Sequence, residues 1–212
     1  MMPHYLRPIA PCLLLALASC VEPPHASAPP PPAPTARPRV SSGTALERYL
    51  PLIDGQLYQY EFETGDGQRG LLSARIQRAD ARRGAWLLPG GGNVFVYAED
   101  GVMSEGSDAA TYLLKAPLTV GNRWPGAQGS VVDIRRLDVT VTVPAGTFSG
   151  CVETHEARGG DIPRSVVATF CPDVGMVSRA VTSGPKRETL TLKSFGDPVD
   201  LGPDGVRVVR ED

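Results

Sequence analysis

Histidine is the side chain most often recruited as a general base near neutral pH, and this chain has three, His4, His25 and His155. His4 lies in an N-terminal segment that reads as a cleaved address, and His25 in a proline-rich stretch, so a histidine-dependent nucleophile would have to use His155. Cys151 stands four residues earlier. On a strand that spacing puts both side chains on one face but about 13 Å apart, too far for proton transfer, so His155 reads as a solvent-facing strand residue. Cys151 and Cys171 form no Cys-x-x-Cys and have no supporting histidine spacing, which argues against a redox or metal pair. Ser183-Gly-Pro-Lys186 has the Ser-x-x-Lys spacing of an activated serine, but that chemistry needs a helix and Pro185 makes the segment a turn. Gly90-Gly91-Gly92 lacks the Gly-Lys-Ser/Thr of a phosphate loop and reads as a turn. Asp100, Glu105 and Asp108 fit no EF-hand spacing and read as solvated loop acids. Glu153 and Asp173 are the acids that a hydrolase built on paired carboxylates would use. No cofactor motif and no metal-ligand set is legible.

The elements that would position these residues begin after a leader. Met1–Pro8 carries Arg7 and no acid, and Ile9–Ala18 is apolar apart from Pro11 and Cys12. About ten apolar residues cannot cross a hydrocarbon core that needs ~20, so residues 1–19 read as a signal peptide. The ending Leu17-Ala18-Ser19-Cys20 resembles the lipobox of bacterial lipoproteins. The resemblance implies that Cys20 carries a thioether-linked diacylglycerol and becomes the mature N-terminus. Two or three acyl chains at ~0.8 kcal/mol per buried methylene make a stable anchor. Val21 after the cysteine, where an aspartate would retain the protein, implies transfer to the outer membrane.

Residues 20–43 then form the lipidated cysteine and a linker. Val21–Val40 holds eight prolines and little that is apolar and larger than alanine, so it cannot build a core. In polyproline II at ~3.1 Å per residue it would reach up to ~60 Å from the bilayer. Glycine and proline together make up 44 of 212 residues, but they are segregated: residues 1–40 hold eleven prolines and no glycine, and all 23 glycines lie from Gly43 onward. That load excludes a helical bundle. The net charge of −2 falls to −3 once Arg7 is removed and excludes a basic nucleic-acid binder.

Residues 44–196 read as β structure, with a brief helical turn before Pro51. Strands are predicted over 56–63, 70–79, 84–88, 93–98, 101–105, 109–114, 127–135, 137–143, 150–157, 165–171, 174–182 and 188–195. In 56–63 the row Gln56, Tyr58, Tyr60, Phe62 is the buried face, and Val139, Val141 and Val143 oppose Asp138, Thr140 and Thr142. The connections leave no room for parallel crossovers. The fold class is all-β: a single antiparallel meandering sheet curled as a half-barrel or barrel, with a sandwich as the alternative. The expected core includes Leu57, Tyr58, Tyr60, Phe62, Ile76, Trp86, Phe95, Tyr97, Leu113, Trp124, Val141, Phe148, Phe170 and Leu192.

With Cys12 discarded and Cys20 lipidated, Cys151 and Cys171 remain as an exported pair and are expected to form a disulfide. A hairpin around Gly159-Gly160-Asp161 would set them opposite one another, with Val152 facing Phe170 and Thr154 facing Ala168. A loop of about twenty residues closed in this way contributes ~3 kcal/mol in the chain-entropy model. Pro51-Leu52-x-x-Gly55-x-x-Tyr58 recurs 66 residues later as Pro117-Leu118-x-x-Gly121-x-x-Trp124, either a duplication or two similar turns that each lead into a strand. Residues 197–212 form an acidic tail.

Four segments, Tyr49-x-Pro51-Leu52, Leu113-Leu114-x-x-Pro117-Leu118-x-x-Gly121-x-x-Trp124, Val143-Pro144-Ala145-Gly146-x-Phe148-x-x-Cys151 and Val174-Gly175-x-Val177, together resemble an uncharacterised family of bacterial exported and lipoprotein domains. The resemblance spans about 49–195. It implies an antiparallel β fold of half-barrel type and no established activity, and it supplies no catalytic residues. The chain departs from the pattern at Cys171, where an aromatic or alanine is expected, and this second cysteine supports the disulfide. The reading is a non-enzymatic, lipid-anchored protein of the bacterial envelope that binds a partner protein or an apolar, lipid-like ligand. The alternative is an envelope hydrolase using carboxylates such as Glu153 or Asp173. An open apolar mouth in the curled sheet would favour a ligand, and a filled interior a partner.

Overall fold

Alternation of apolar and polar residues between glycine-containing turns generates a single antiparallel sheet of twelve strands in the computed structural model, which describes residues 45–106 and 110–196. These belong to one unit, Thr35–Asp212. The signal peptide, Cys20, the linker, Asp108 and the acidic tail lie outside the described residues.

The strands are β1 (Leu57–Glu63), β2 (Arg69–Arg78), β3 (Arg83–Leu88), β4 (Gly91–Ala98), β5 (Gly101–Glu105), β6 (Ala110–Lys115), β7 (Arg123–Pro125), β8 (Val131–Val143), β9 (Gly146–Arg158), β10 (Arg164–Cys171), β11 (Gly175–Ser183) and β12 (Lys186–Phe195). Each pairs with its neighbour in sequence except at β6 and β7, and β1 pairs with β12. The result is an up-and-down sheet nearly closed into a barrel, as expected from the sequence, and not a sandwich. Its one open seam lies between β6 and β7. Among the described residues no backbone ladder crosses that seam. Instead the Trp124 indole donates to the Tyr112 carbonyl at 2.9 Å, and the Asn122 amide donates to the Lys115 carbonyl at 3.0 Å.

The recurrent motif opens the two six-stranded halves, β1–β6 and β7–β12. Gly55 (φ 75°) and Gly121 (φ 85°) both need the left-handed region that glycine enters without a Cβ clash. The Gly55 amide donates to the Ile76 carbonyl at 3.0 Å, and the Ile76 amide to the Gln56 carbonyl at 2.9 Å. In the second copy Gly121 donates to Ile134 at 2.9 Å and Ile134 to Asn122 at 3.0 Å. Even the side-chain amides match: Gln56 donates to the Gly196 carbonyl after β12, as Asn122 does to Lys115 at the end of β6. Both copies of the motif thus share a hydrogen-bond pattern as well as residue types.

One end of the barrel is closed by a plug. Glu47–Tyr49 forms a 3-10 turn, and Leu50 and Leu52 after it are buried. The Tyr97 hydroxyl on β4 donates to the Leu50 carbonyl at 2.8 Å and accepts from the Leu52 amide at 2.7 Å. Arg48 grips Asp173 in the β10–β11 turn through two parallel bonds of 3.0 and 2.5 Å, and the Tyr49 hydroxyl donates to the Gly150 carbonyl at 3.1 Å. The tip of the long β8–β9 hairpin folds over the same end, where the Ala145 amide donates to the Leu192 carbonyl at 3.2 Å and Phe148 meets Phe195 with ring centroids 6.1 Å apart.

Several expectations need correction. Residues 131–143 form one strand and not two, because the break read near Arg136 is a set of bulges in the β8–β9 ladder around Asp138, whose φ is 53°. Residues 127–129 are a 3-10 turn, and the three-residue β7 before them was not foreseen. Leu57 points away from the aromatic face and is only half-buried, while a bulge between Val102 and Met103 shifts the register so that Leu114, not Leu113, is fully buried.

Candidate functional site

The inward rows of the strands do not fill the barrel. Tyr58, Trp86 and Phe95 form an aromatic layer above the plug, with Trp86 stacked on Tyr58 at 5.5 Å and edge-on to Phe95 at 5.6 Å. Beside Trp86 and Phe95 of that layer lies a cavity of about 420 Å³, lined at the plug by Leu50 and walled largely by apolar side chains. One wall comes from the first half: Tyr60 on β1, Leu72 and Ala74 on β2, Trp86 and Leu88 on β3, and Phe95 on β4. The facing wall comes from the second half, through Val132 on β8, Val166, Ala168 and Phe170 on β10, Met176 on β11 and Leu190 on β12. This volume falls in the range of small-molecule sites, ~300–1,000 Å³.

Few polar groups enter the cavity, and they sit in particular places. The Tyr60 hydroxyl is satisfied, donating to the Met176 carbonyl at 2.9 Å. The indole Nε1 of Trp86 is buried within the aromatic layer without a hydrogen-bond partner among the described residues. Asn93 and Ser104 add neutral polar groups on the first wall. On the second wall Thr154, Glu156 and Arg179 follow the period-2 inward row, since Glu156 faces Val166 and Arg179 faces Ala168 across their ladders. Glu156 accepts from the Ser130 hydroxyl at 2.5 Å. Burial, followed by repulsion from Arg164, lowers the Arg179 pKa, against the opposing pull of Glu156 and Glu188.

The phenols of the layer respond to the same apolar surroundings. Burial pushes the Tyr97 hydroxyl up to about 12, and Tyr58 and Tyr60 are raised well above the usual tyrosine value. These groups stay neutral and structural under any ordinary condition.

Cys151 and Cys171 are fully buried and joined, with Cα atoms 4.2 Å apart. The β9–β10 register sets Val152 opposite Phe170 and Thr154 opposite Ala168, as the hairpin expectation had it. The disulfide therefore staples two strands that contribute cavity wall.

The hydrolase candidates are not brought together. Glu153 lies on the outer face of β9, clamped by Arg136, and Asp173 lies in the β10–β11 turn, clamped by Arg48. His155 is not freely solvent-facing. Its side chain is 19% exposed, with Nδ1 2.7 Å from Arg135 Nη2 and 3.4 Å from Asp133 Oδ1. Sequence reasoning missed Asp133 because the pairing across β8 and β9 depends on the bulged register. Ser183 and Lys186 face one another at the β11–β12 turn. Asp100 accepts from the Tyr112 hydroxyl at 2.6 Å, and Glu105 pairs with Arg83, so these two acids are engaged separately. Among the described residues no group of three or more acids, cysteines or histidines is placed to hold a metal ion.

No family model matches the chain, and no curated protein matches it. Two solved structures are similar in outline. A protein from Bacteroides fragilis, described as exported with a YmcC-like fold, aligns at a TM-score of 0.46 and 13% identity, covering 68% of this chain and 97% of its own. A protein from Parabacteroides distasonis, described as a lipoprotein, aligns at 0.44 and 11% identity, covering 70% of this chain and 98% of its own.

Proposed function

We propose that this protein is a non-enzymatic lipoprotein of the bacterial envelope, anchored through Cys20, whose barrel binds an apolar, lipid-like ligand in the cavity between its two half-sheets. The observation that carries this reading is the cavity itself: about 420 Å³ of largely apolar space in the middle of the sheet, where a protein with no ligand to hold would pack side chains. A partner-protein reading has less support, because the interior is open rather than filled. The hydrolase reading would need two carboxylates sharing a cleft, and Glu153 and Asp173 are each held by a different arginine.

The test is displacement of a neutral fluorescent apolar probe, N-phenyl-1-naphthylamine, by lipid extracted from the native membrane. Wild-type protein should bind the probe and release it to the extract. Ala168→Trp, which pushes an indole into the cavity from β10, should weaken probe binding by roughly tenfold or more through overpacking of the site, with the far-ultraviolet dichroism of the barrel retained. Probe binding unchanged in a folded Ala168→Trp variant would place the site elsewhere and end the proposal.

A further inference from the structure

The second half of the barrel puts three arginines on its inward face, and among the described residues the first-half side chains that line the cavity carry no charge to pair with them. Arg179 lines the cavity from β11, opposite Ala168. Arg164 and Arg158 lie on the same inward row, two residues beyond Val166 and Glu156, and stand directly opposite each other across the β9–β10 ladder. Like charges facing one another across strands are destabilising, and repulsion between Arg164 and Arg179 lowers the Arg179 pKa. Arg158 donates to the Gln128 side-chain oxygen at 2.5 Å, a neutral partner. Among the described residues Arg179 has neither a hydrogen bond nor an ion pair within contact distance, and it is half-buried, with Glu156 and Glu188 pulling on its charge. Two acids share the row: Glu156, which already accepts from the Ser130 hydroxyl, and Glu188, opposite Val181. The wall contributed by Tyr60, Leu72, Trp86, Asn93, Phe95 and Ser104 carries no charge at all.

An apolar cavity floored by Leu50 thus runs toward a cationic patch at the end of the barrel away from the plug. A partly buried guanidinium has lost part of its hydration, and an anion that supplies oxygen acceptors replaces what was lost. We propose that Arg179, with Arg164 and Arg158, binds the anionic head, a carboxylate or phosphate, of an amphiphile whose hydrocarbon part occupies the cavity. This rests on the cavity-binding reading above and adds the class of ligand to it. The planar fork of arginine suits either oxyanion through paired donors.

The experiment compares three ligands on the full chain by probe displacement and calorimetry: palmitate, hexadecanol, which has the same chain without the charge, and inorganic phosphate, which has the charge without the chain. Palmitate should bind wild-type protein roughly tenfold or more tightly than hexadecanol, the scale of a charge-assisted hydrogen bond. Arg179→Met should remove most of that difference, and Arg164→Gln should reduce it in part. Equal affinity of wild-type protein for palmitate and hexadecanol would overturn the anionic-head proposal and leave the cavity reading intact. Binding of neither chain would overturn both. Phosphate binding as tightly as palmitate would overturn it in favour of a free-anion site.

Discussion

Tyr97 holds the floor of the cavity with a single hydroxyl, which donates to Leu50 and accepts from Leu52. The bond partners lie more than forty residues away in sequence, so alternation alone marks Tyr97 as core without revealing what its oxygen does. Burial raises its pKa from 10.0 to about 12, and Tyr58 and Tyr60 beside it are raised too. The folded protein therefore holds these protons more tightly than the unfolded chain does. Stability contributed by the neutral phenol is fully present below pH 10.0 and is lost as pH rises from there through about 12. Urea midpoints measured across that window, with tyrosinate absorbance followed in parallel, should fall steadily as pH increases. A midpoint that stays flat through the window would show that the Tyr97 phenol is not held neutral by burial. Trp86 illustrates the limit of reading single residues. Its place in the core is evident from the strand pattern, but the lack of a partner for its indole N–H appears only when the neighbours in space are known.

At the scale of elements, most of the sheet is legible because one face of each strand is buried and the turns carry glycine. The β9–β10 hairpin is the clearest instance, since the two cysteines fix the register and the register sets Val152 and Thr154 on the cavity side. β7 is illegible for the converse reason: Arg123-Trp124-Pro125 is too short to alternate, ends in proline and pairs with β8 alone. Yet that strand governs the seam. By the repeat, β6–β7 occupies the place that β12–β1 holds between the halves, but with side-chain bonds in place of a ladder. Trp124→Phe would remove the indole donor to the Tyr112 carbonyl and leave that buried wall otherwise apolar. We expect a loss of ~1–3 kcal/mol, the cost of leaving the Tyr112 carbonyl without its donor. We also expect faster amide exchange confined mainly to β6, the edge strand released by the change. Exchange rising equally in β10 and β11 would mean that the seam is not an independent element.

Across the whole chain proline and glycine are segregated, eleven prolines and no glycine lying in residues 1–40 and all 23 glycines from Gly43 onward. The barrel, described over 45–106 and 110–196, accounts for the glycine-rich part. The proposed anchoring rests on Cys20, outside the described residues, where the chain resembles a lipobox. Among the described residues the core is built from β1–β12 and the plug. Cys20→Ala should therefore uncouple location from folding. Two or three acyl chains contribute ~0.8 kcal/mol per buried methylene, far more than a proline-rich linker of net charge near zero can supply at a bilayer surface. In cells fed an alkyne fatty acid, the wild-type protein should incorporate the label and sediment with membranes. Cys20→Ala should lose the label and leave the membrane fraction, while its thermal unfolding midpoint stays within about 2 °C of that of the wild-type barrel, since no described core residue is altered. Label retained in Cys20→Ala would remove the anchor from the proposal. A lowered midpoint would mean that residues before the plug contribute to the barrel's stability.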